Sequence, residues 1–132
     1  EALLMRIVER EEIYQNRLLG RVIASAVGRN SAISSEKMTV SFATYSAESG
    51  PMEPHNHAEE TVVVLDCQNG WVRRGPAKDN LNEKHLLKKG TVMYFDELEW
   101  HVFEYGEGGY IDALCIYGQV DNIRPEEIKF QK

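Results

Sequence analysis

The run Thr61-Val-Val-Val-Leu-Asp66 narrows the possible folds more than any other stretch of the chain. Branched β-carbons lose rotamer freedom in a helix and pack well on a pleated surface, so such a run favours a strand. Asn69-Gly70 and Trp71-Val-Arg-Arg74 follow it. Asn-Gly between two strand-like runs predicts a hairpin, because a tight primed turn needs positive φ at both central residues. The same punctuation continues on either side. Residues 21–27 read as a strand closed by Gly28-Arg-Asn-Ser31. From Met38 to Tyr45 the chain alternates, with Met38, Val40 and Phe42 on one face and Thr39, Ser41 and Ala43 on the other. That period of two marks a half-buried strand.

Glu48-Ser-Gly-Pro51 reads as a turn and residues 75–82 as a polar loop. Lys84-His-Leu-Leu87 and Thr91-Val-Met-Tyr-Phe95 are further strands about a Lys88-Lys-Gly90 turn. Residues 100–105 and 110–117 complete the set, joined by Gly106-Glu-Gly-Gly109. The charged N-terminal stretch to Leu19 suits a short helix or an extended arm equally well. The tail has the signals of one helical turn after Pro125, where Glu126 and Glu127 favour a helix N-terminus. About eight short strands, no long amphipathic helix and no repeat predict an all-β sandwich or barrel. The 132 residues form one domain, 1–132, long enough to bury a core.

A net charge of −6 argues against a nucleic-acid surface, since Arg73-Arg74 and Lys88-Lys89 are isolated doublets. No apolar run approaches the roughly 20 residues that span a bilayer. The start lacks the pattern of a secretory leader, although residue 1 is not Met. Cys67 and Cys115 are too few for a disulfide framework, and Cys115 lies in the apolar run Ala113-Leu-Cys-Ile116, where a buried free thiol is expected. These features favour a cytoplasmic protein.

Of four histidines, two stand one residue apart in Pro54-His-Asn-His-Ala-Glu-Glu60. On an extended strand His55 and His57 point to the same face, roughly 7 Å apart. Both rings can then reach one ion, with Glu59 or Glu60 beside them and His101 arriving from a second strand. Neutral imidazoles with one carboxylate suit a divalent transition metal such as Zn, Fe, Mn or Ni. Such a set leaves coordination positions open for water or substrate. His85 has no partner at ligand spacing and reads as a surface or satisfied histidine. Trp100, Phe103 and Tyr105 suit either a substrate cavity or ordinary core, and Tyr45 and Tyr94 are cavity candidates on the same terms.

These residues resemble the motifs of the cupin superfamily. The first motif runs from a Gly through His-x-His to a Glu and, after six residues, a Gly; Gly50, His55, His57, Glu60 and Cys67 take those places. The second has a Gly, five residues, Pro-x-Gly, two residues, His, three residues and Asn. Gly90 and His101 match it, while Asp96, Leu98 and Tyr105 replace the Pro, the Gly and the Asn. The resemblance covers residues 20–118 and implies a jelly-roll barrel with a metal held by His55, His57, Glu60 and His101. Glu59 shares the strand phase of the two histidines, but Glu60 keeps the family's spacing to position 67.

The resemblance further implies a metal-dependent enzyme, of oxygenase, isomerase, decarboxylase or lyase type, acting on a small polar molecule inside the barrel. The alternative is a non-catalytic module that binds or senses a small ligand. A homodimer is expected from the resemblance and from exposed edge strands.

Overall fold

The computed structural model describes residues 4–121 and residue 123. A 3-10 turn at Arg10–Glu12 precedes eight strands: β1 Gln15–Leu18, β2 Arg21–Gly28, β3 Ile33–Ser34, β4 Thr39–Ser46, β5 Glu60–Gly75, β6 Glu83–Leu86, β7 Val92–Phe95 and β8 Trp100–Tyr117. They pair in the order β1-β2-β4-β8-β5-β6, with β3 beside β2 and β7 beside β5. The turn expected after Pro125 lies outside the described residues. No helix among them is long and apolar enough to cross a membrane.

The Asn69-Gly70 hairpin does not form. Glu60–Gln68 pairs with the second half of β8, and Gly70–Gly75 pairs with its first half, so the chain never reverses. Asn69 has φ 52, but Gly70 is not among the positive-φ residues. One left-handed residue makes a bulge, whereas a primed turn needs two. Residues 106–109 likewise bend β8 without reversing it; Gln68 faces Tyr110 and Gly70 faces Tyr105. The two bends meet. A Cβ on Gly106 would lie 2.0 Å from Asn69 Nδ2, so a larger residue there would have to displace the Asn69 side chain.

These bends let β5 and β8 serve two sheet halves. One half is β1-β2-β4-β8-β5-β7, and the other is β6 with the far ends of β5 and β8. The halves close on a core of Ala43, Tyr45, Val62, Val64, Val72, Leu87, Phe95, Phe103, Ile111, Ala113 and Cys115. This is the jelly-roll arrangement.

The outer face of β2 and β4 is covered too. Ile13, Ala24 and Ala26 cluster there with Val8, Val27 and Phe42. Arg10 lies over the Phe42 ring at 4.4 Å and binds Asp112 through two nitrogens at 2.6 and 2.9 Å. Of the two N-terminal readings, the extended arm is therefore the one adopted, with a single 3-10 turn in it. Because the arm takes Phe42, the inward face of β4 is Ser41, Ala43 and Tyr45.

Candidate metal centre

His55 and His57 do not sit on a strand: His55 forms an isolated bridge with His101, and β5 begins only at Glu60. The bridge has both peptide bonds, His55 N–H to His101 O and His101 N–H to His55 O, each 3.0 Å. Leu98 N–H donates to His57 O at 2.7 Å, and Asn56 Nδ2 donates to Leu98 O at 3.1 Å. The loop before β5 is thus pinned to the start of β8 by backbone bonds.

This pinning brings three imidazoles together. Ring centroids lie 5.2 Å apart for His55 and His57, 4.4 Å for His55 and His101, and 4.9 Å for His57 and His101. One ring nitrogen from each lies within 4.8 Å of the others. Their protonation follows from the partners. His55 Nδ1 faces Glu53 O at 3.1 Å, His57 Nδ1 faces Ala58 O at 2.8 Å, and His101 Nδ1 faces Glu99 O at 2.8 Å. A carbonyl only accepts, so each neutral ring carries its hydrogen on Nδ1 and keeps the Nε2 lone pair. Metal-binding imidazoles are held in this way by outer partners.

The carboxylate is also placed. Glu60 Oε1 is 3.4 Å from His57 Nε2 and 4.0 Å from His101 Nε2, and the side chain is 3% exposed. Burial pushes Glu60 up to about 7, against the opposing influence of the Tyr117 hydroxyl, the Cys115 thiol and the Arg21 charge. Glu59 points outward and takes a hydrogen bond from the Tyr94 hydroxyl. Burial, together with the positive charge that His55 and His57 would carry if protonated, holds His101 down to about 2, so it stays neutral. His101 is completely buried and its Nε2 has no hydrogen-bond partner. A buried acceptor facing two more ring nitrogens and a carboxylate has the wrong neighbours for a hydrogen bond and the right ones for a cation. The four residues fit a divalent transition metal.

A cavity of about 550 Å³ opens onto His55, His57 and Glu60, with Tyr45, Phe103 and Trp100 also in its wall. Tyr45 is buried, 4.8 Å from Phe103 between centroids and 4.0 Å from Cys115 Sγ through its hydroxyl. Tyr105 stands outside this cavity, lining a second one with Trp71 and Met52 while donating to Gly50 O at 3.2 Å. Tyr94 is not a cavity residue: it is 57% exposed. Inward on β7 are Met93 and Phe95 instead, because Tyr94 falls on the odd phase of that strand. Exposed His85 lies 3.7 Å from Glu83. The pattern had not singled out Phe95, which packs behind His101, or Tyr117, whose ring meets His57 edge-on at 5.4 Å. Tyr117 shares the phase of Ile111, Ala113 and Cys115, which was its available signal.

No family model and no curated relative matches the sequence. Solved structures do. The polyketide cyclase RemF from Streptomyces resistomycificus superposes with a TM-score of 0.69 at 14% identity, over 97% of this chain and 93% of its own. A cupin-like protein from Thermotoga maritima gives 0.58 at 16% identity, over 76% of this chain and 69% of its own. The chain folds as a cupin. The iron(II) form of HppE also matches this chain, with a TM-score of 0.62 at 16% identity over 86% of this chain and 60% of its own. At such identities the likeness carries the fold, and the chain's chemistry rests on its own side chains.

Proposed function

We propose that this cupin is a metal-dependent enzyme acting on a small polar molecule in the cavity beside His55, His57, Glu60 and His101. The observation that carries the reading is the convergence of one ring nitrogen from each of three histidines, each of which faces a backbone carbonyl with its Nδ1. A bound first-row ion, with Zn, Fe, Mn and Ni as candidates, would supply Lewis-acid polarisation of substrate oxygens or, for iron, dioxygen chemistry. Around it the chain's own groups have separate tasks. Phe95 and Phe103 keep water from the rear of the site, and Tyr117 orients Glu60 and His57 from one side. Tyr45 presents a protonated phenol at the cavity wall, its pKa raised well above the usual range by burial. The neighbours of like fold, a polyketide cyclase and the iron(II) form of HppE, support a small-molecule substrate. A cytoplasmic homodimer belongs to the same proposal, supported by the exposed edge strand β1.

The test is elemental analysis of purified protein followed by turnover on a panel of sugars, keto acids and catechols, with oxygen uptake recorded. One equivalent of metal in the wild type, lost in His57→Ala and His101→Ala, together with metal-dependent turnover, is the expected result. Equal metal content in all three proteins would remove these ligands. Tight ligand binding without turnover would make the cupin a binding module.

A further inference from the structure

We propose that Arg21 anchors the carboxylate of the substrate, which makes that substrate a small organic acid. The inference rests on reading the cavity as the reaction site and adds the identity of the group that is recognised there.

Arg21 opens β2, and alternation along the strand puts Arg21, Ile23 and Ser25 on one face; all three line the cavity beside His55, His57 and Glu60. Ile23 pairs with the buried Ala43 on β4, which fixes this face as the inward one. The neighbours Ala24 and Ala26 turn the other way, under the N-terminal arm. Arg21 is therefore built into the cavity by strand phase.

Its charge acts on Glu60, but what it lacks among the described residues is a hydrogen-bonded or ion-paired partner. Arg10, Arg17, Arg29, Arg73 and Arg74 each hold a carboxylate. Arg21 makes no side-chain hydrogen bond or ion pair among the described residues, although it is partly buried. A guanidinium has five N–H donors in a planar fork matched to a carboxylate, and withdrawing it from water without an acceptor is costly. Among the described residues, the carboxylate buried in the cavity wall is Glu60, which lies against His57 and His101. Asp121 on the rim is already bound by Arg29 at 2.8 Å. Lys78, also in the lining, is 3.9 Å from Glu53 and 59% exposed.

Apart from Glu60, Lys78, Asp121 and the histidines, the polar side chains of the wall include the neutral hydroxyls of Ser25, Ser41, Thr39 and Tyr45. One fork-shaped cation among hydroxyls suits a single planar oxyanion better than a phosphate dianion, which would call for further cations. A molecule of about the cavity's length then has its acid held at Arg21 and its reacting end turned toward the histidines.

The experiment is calorimetric titration of the wild type, Arg21→Gln and Arg21→Lys, each with and without metal. The probes are benzoate, pyruvate and succinate, the amides benzamide and pyruvamide, and inorganic phosphate. Expected is binding of at least one carboxylate to the wild type, at least tenfold tighter than its amide, falling at least tenfold in Arg21→Gln and partly restored in Arg21→Lys. Metal content should be equal in the three proteins. Equal affinity for acid and amide, unchanged affinity in Arg21→Gln, binding of phosphate alone, or no carboxylate binding at millimolar concentration would each overturn the proposal. The comparison of acid with amide needs no variant, so a misfolded Arg21→Gln would not blunt it. Arg21-dependent binding by a protein that takes up no metal would sink the metal reading alone, and metal uptake without acid preference would sink this proposal alone.

Discussion

Phe95 lies flat on His101, with ring centroids 4.0 Å apart and planes 16° from parallel. The stack fixes the imidazole's tilt, while the bond from Nδ1 to Glu99 O fixes its rotation. Phe95→Leu is expected to cost about 1 kcal/mol of stability, and Phe95→Ala about 3–5 kcal/mol through the cavity it leaves. Freed of the stack, His101 should also hold metal less well in Phe95→Leu, by about tenfold, the size found when outer partners of metal ligands are removed. Urea titrations and competitive metal titration check the two effects separately.

Metal removal should lower the melting temperature, because an ion that binds only the folded chain stabilises it by mass action. At a free concentration of 100 Kd the gain is about 2.7 kcal/mol. Adding the metal back should restore the loss in the wild type and leave His57→Ala unmoved. Thermal melts before and after chelation decide this.

Glu104 accepts bonds from Arg73 Nε at 2.8 Å and Nη2 at 2.9 Å and from Trp71 Nε1 at 2.8 Å. The Arg73 guanidinium holds its carboxyl below the usual range, with burial opposing and Trp71 assisting. A carboxyl whose pKa is depressed on folding adds stability above its unfolded value, and that stability is lost as pH falls through the folded one. Glu104→Gln should therefore cost about 1 kcal/mol at pH 7, and the gap to wild type should close in acid. Denaturant midpoints at neutral pH and near pH 3 measure it.

A Cβ on Gly70 would lie 2.6 Å from Ile111 Cγ1 and 2.8 Å from Cys67 Sγ, and Ile111 is fully buried. Gly70→Ala is expected to destabilise by about 1–3 kcal/mol through overpacking at the bend of β5. A change at Gly90 has open space around it, so strain there comes from its φ of 93 alone. Chemical denaturation of both variants compares the two causes.

Leu98 holds φ 66 in the turn whose peptide binds His57 O. A left-handed residue with a branched side chain costs about 1–2 kcal/mol, and glycine recovers this at an entropic penalty of about 0.5–1 kcal/mol. Leu98→Gly should then be close to neutral, where an ordinary Leu-to-Gly change in a turn would destabilise. A single melting curve tests it.

Much of this architecture could be read from residue patterns, for reasons local to the chain. Alternation at Met38–Tyr45 and the β-branched run after Glu60 are short-range signals, and both fall in strands. Asn69-Gly70 misled because a bulge and a primed turn recruit the same residues; what separates them is whether one φ or two are positive, which sequence does not record. Period two likewise says that Met93 and Phe95 share a face and Val92 and Tyr94 the other, without saying which is inside. The face was decided by β7 pairing with Glu60–Val63, a contact about thirty positions away. The histidines were found by composition and spacing, yet they converge through backbone bonds of a loop, not through strand phase. Arg21 carried no local signal at all, because what distinguishes it is that no described residue forms a hydrogen bond or ion pair with its side chain.

The reciprocal backbone hydrogen bonds between His55 and His101 have one last effect. Two residues that exchange both bonds across antiparallel segments have their Cα atoms about 5.5 Å apart whatever their side chains are. The spacing of these two imidazoles is thus inherited from main-chain geometry, and the walls of the cavity have no part in setting it. Lining residues that touch none of the four ligands can be exchanged one after another without detuning the centre, so a scaffold of this kind is free to trade one substrate for another while its chelating frame stays put.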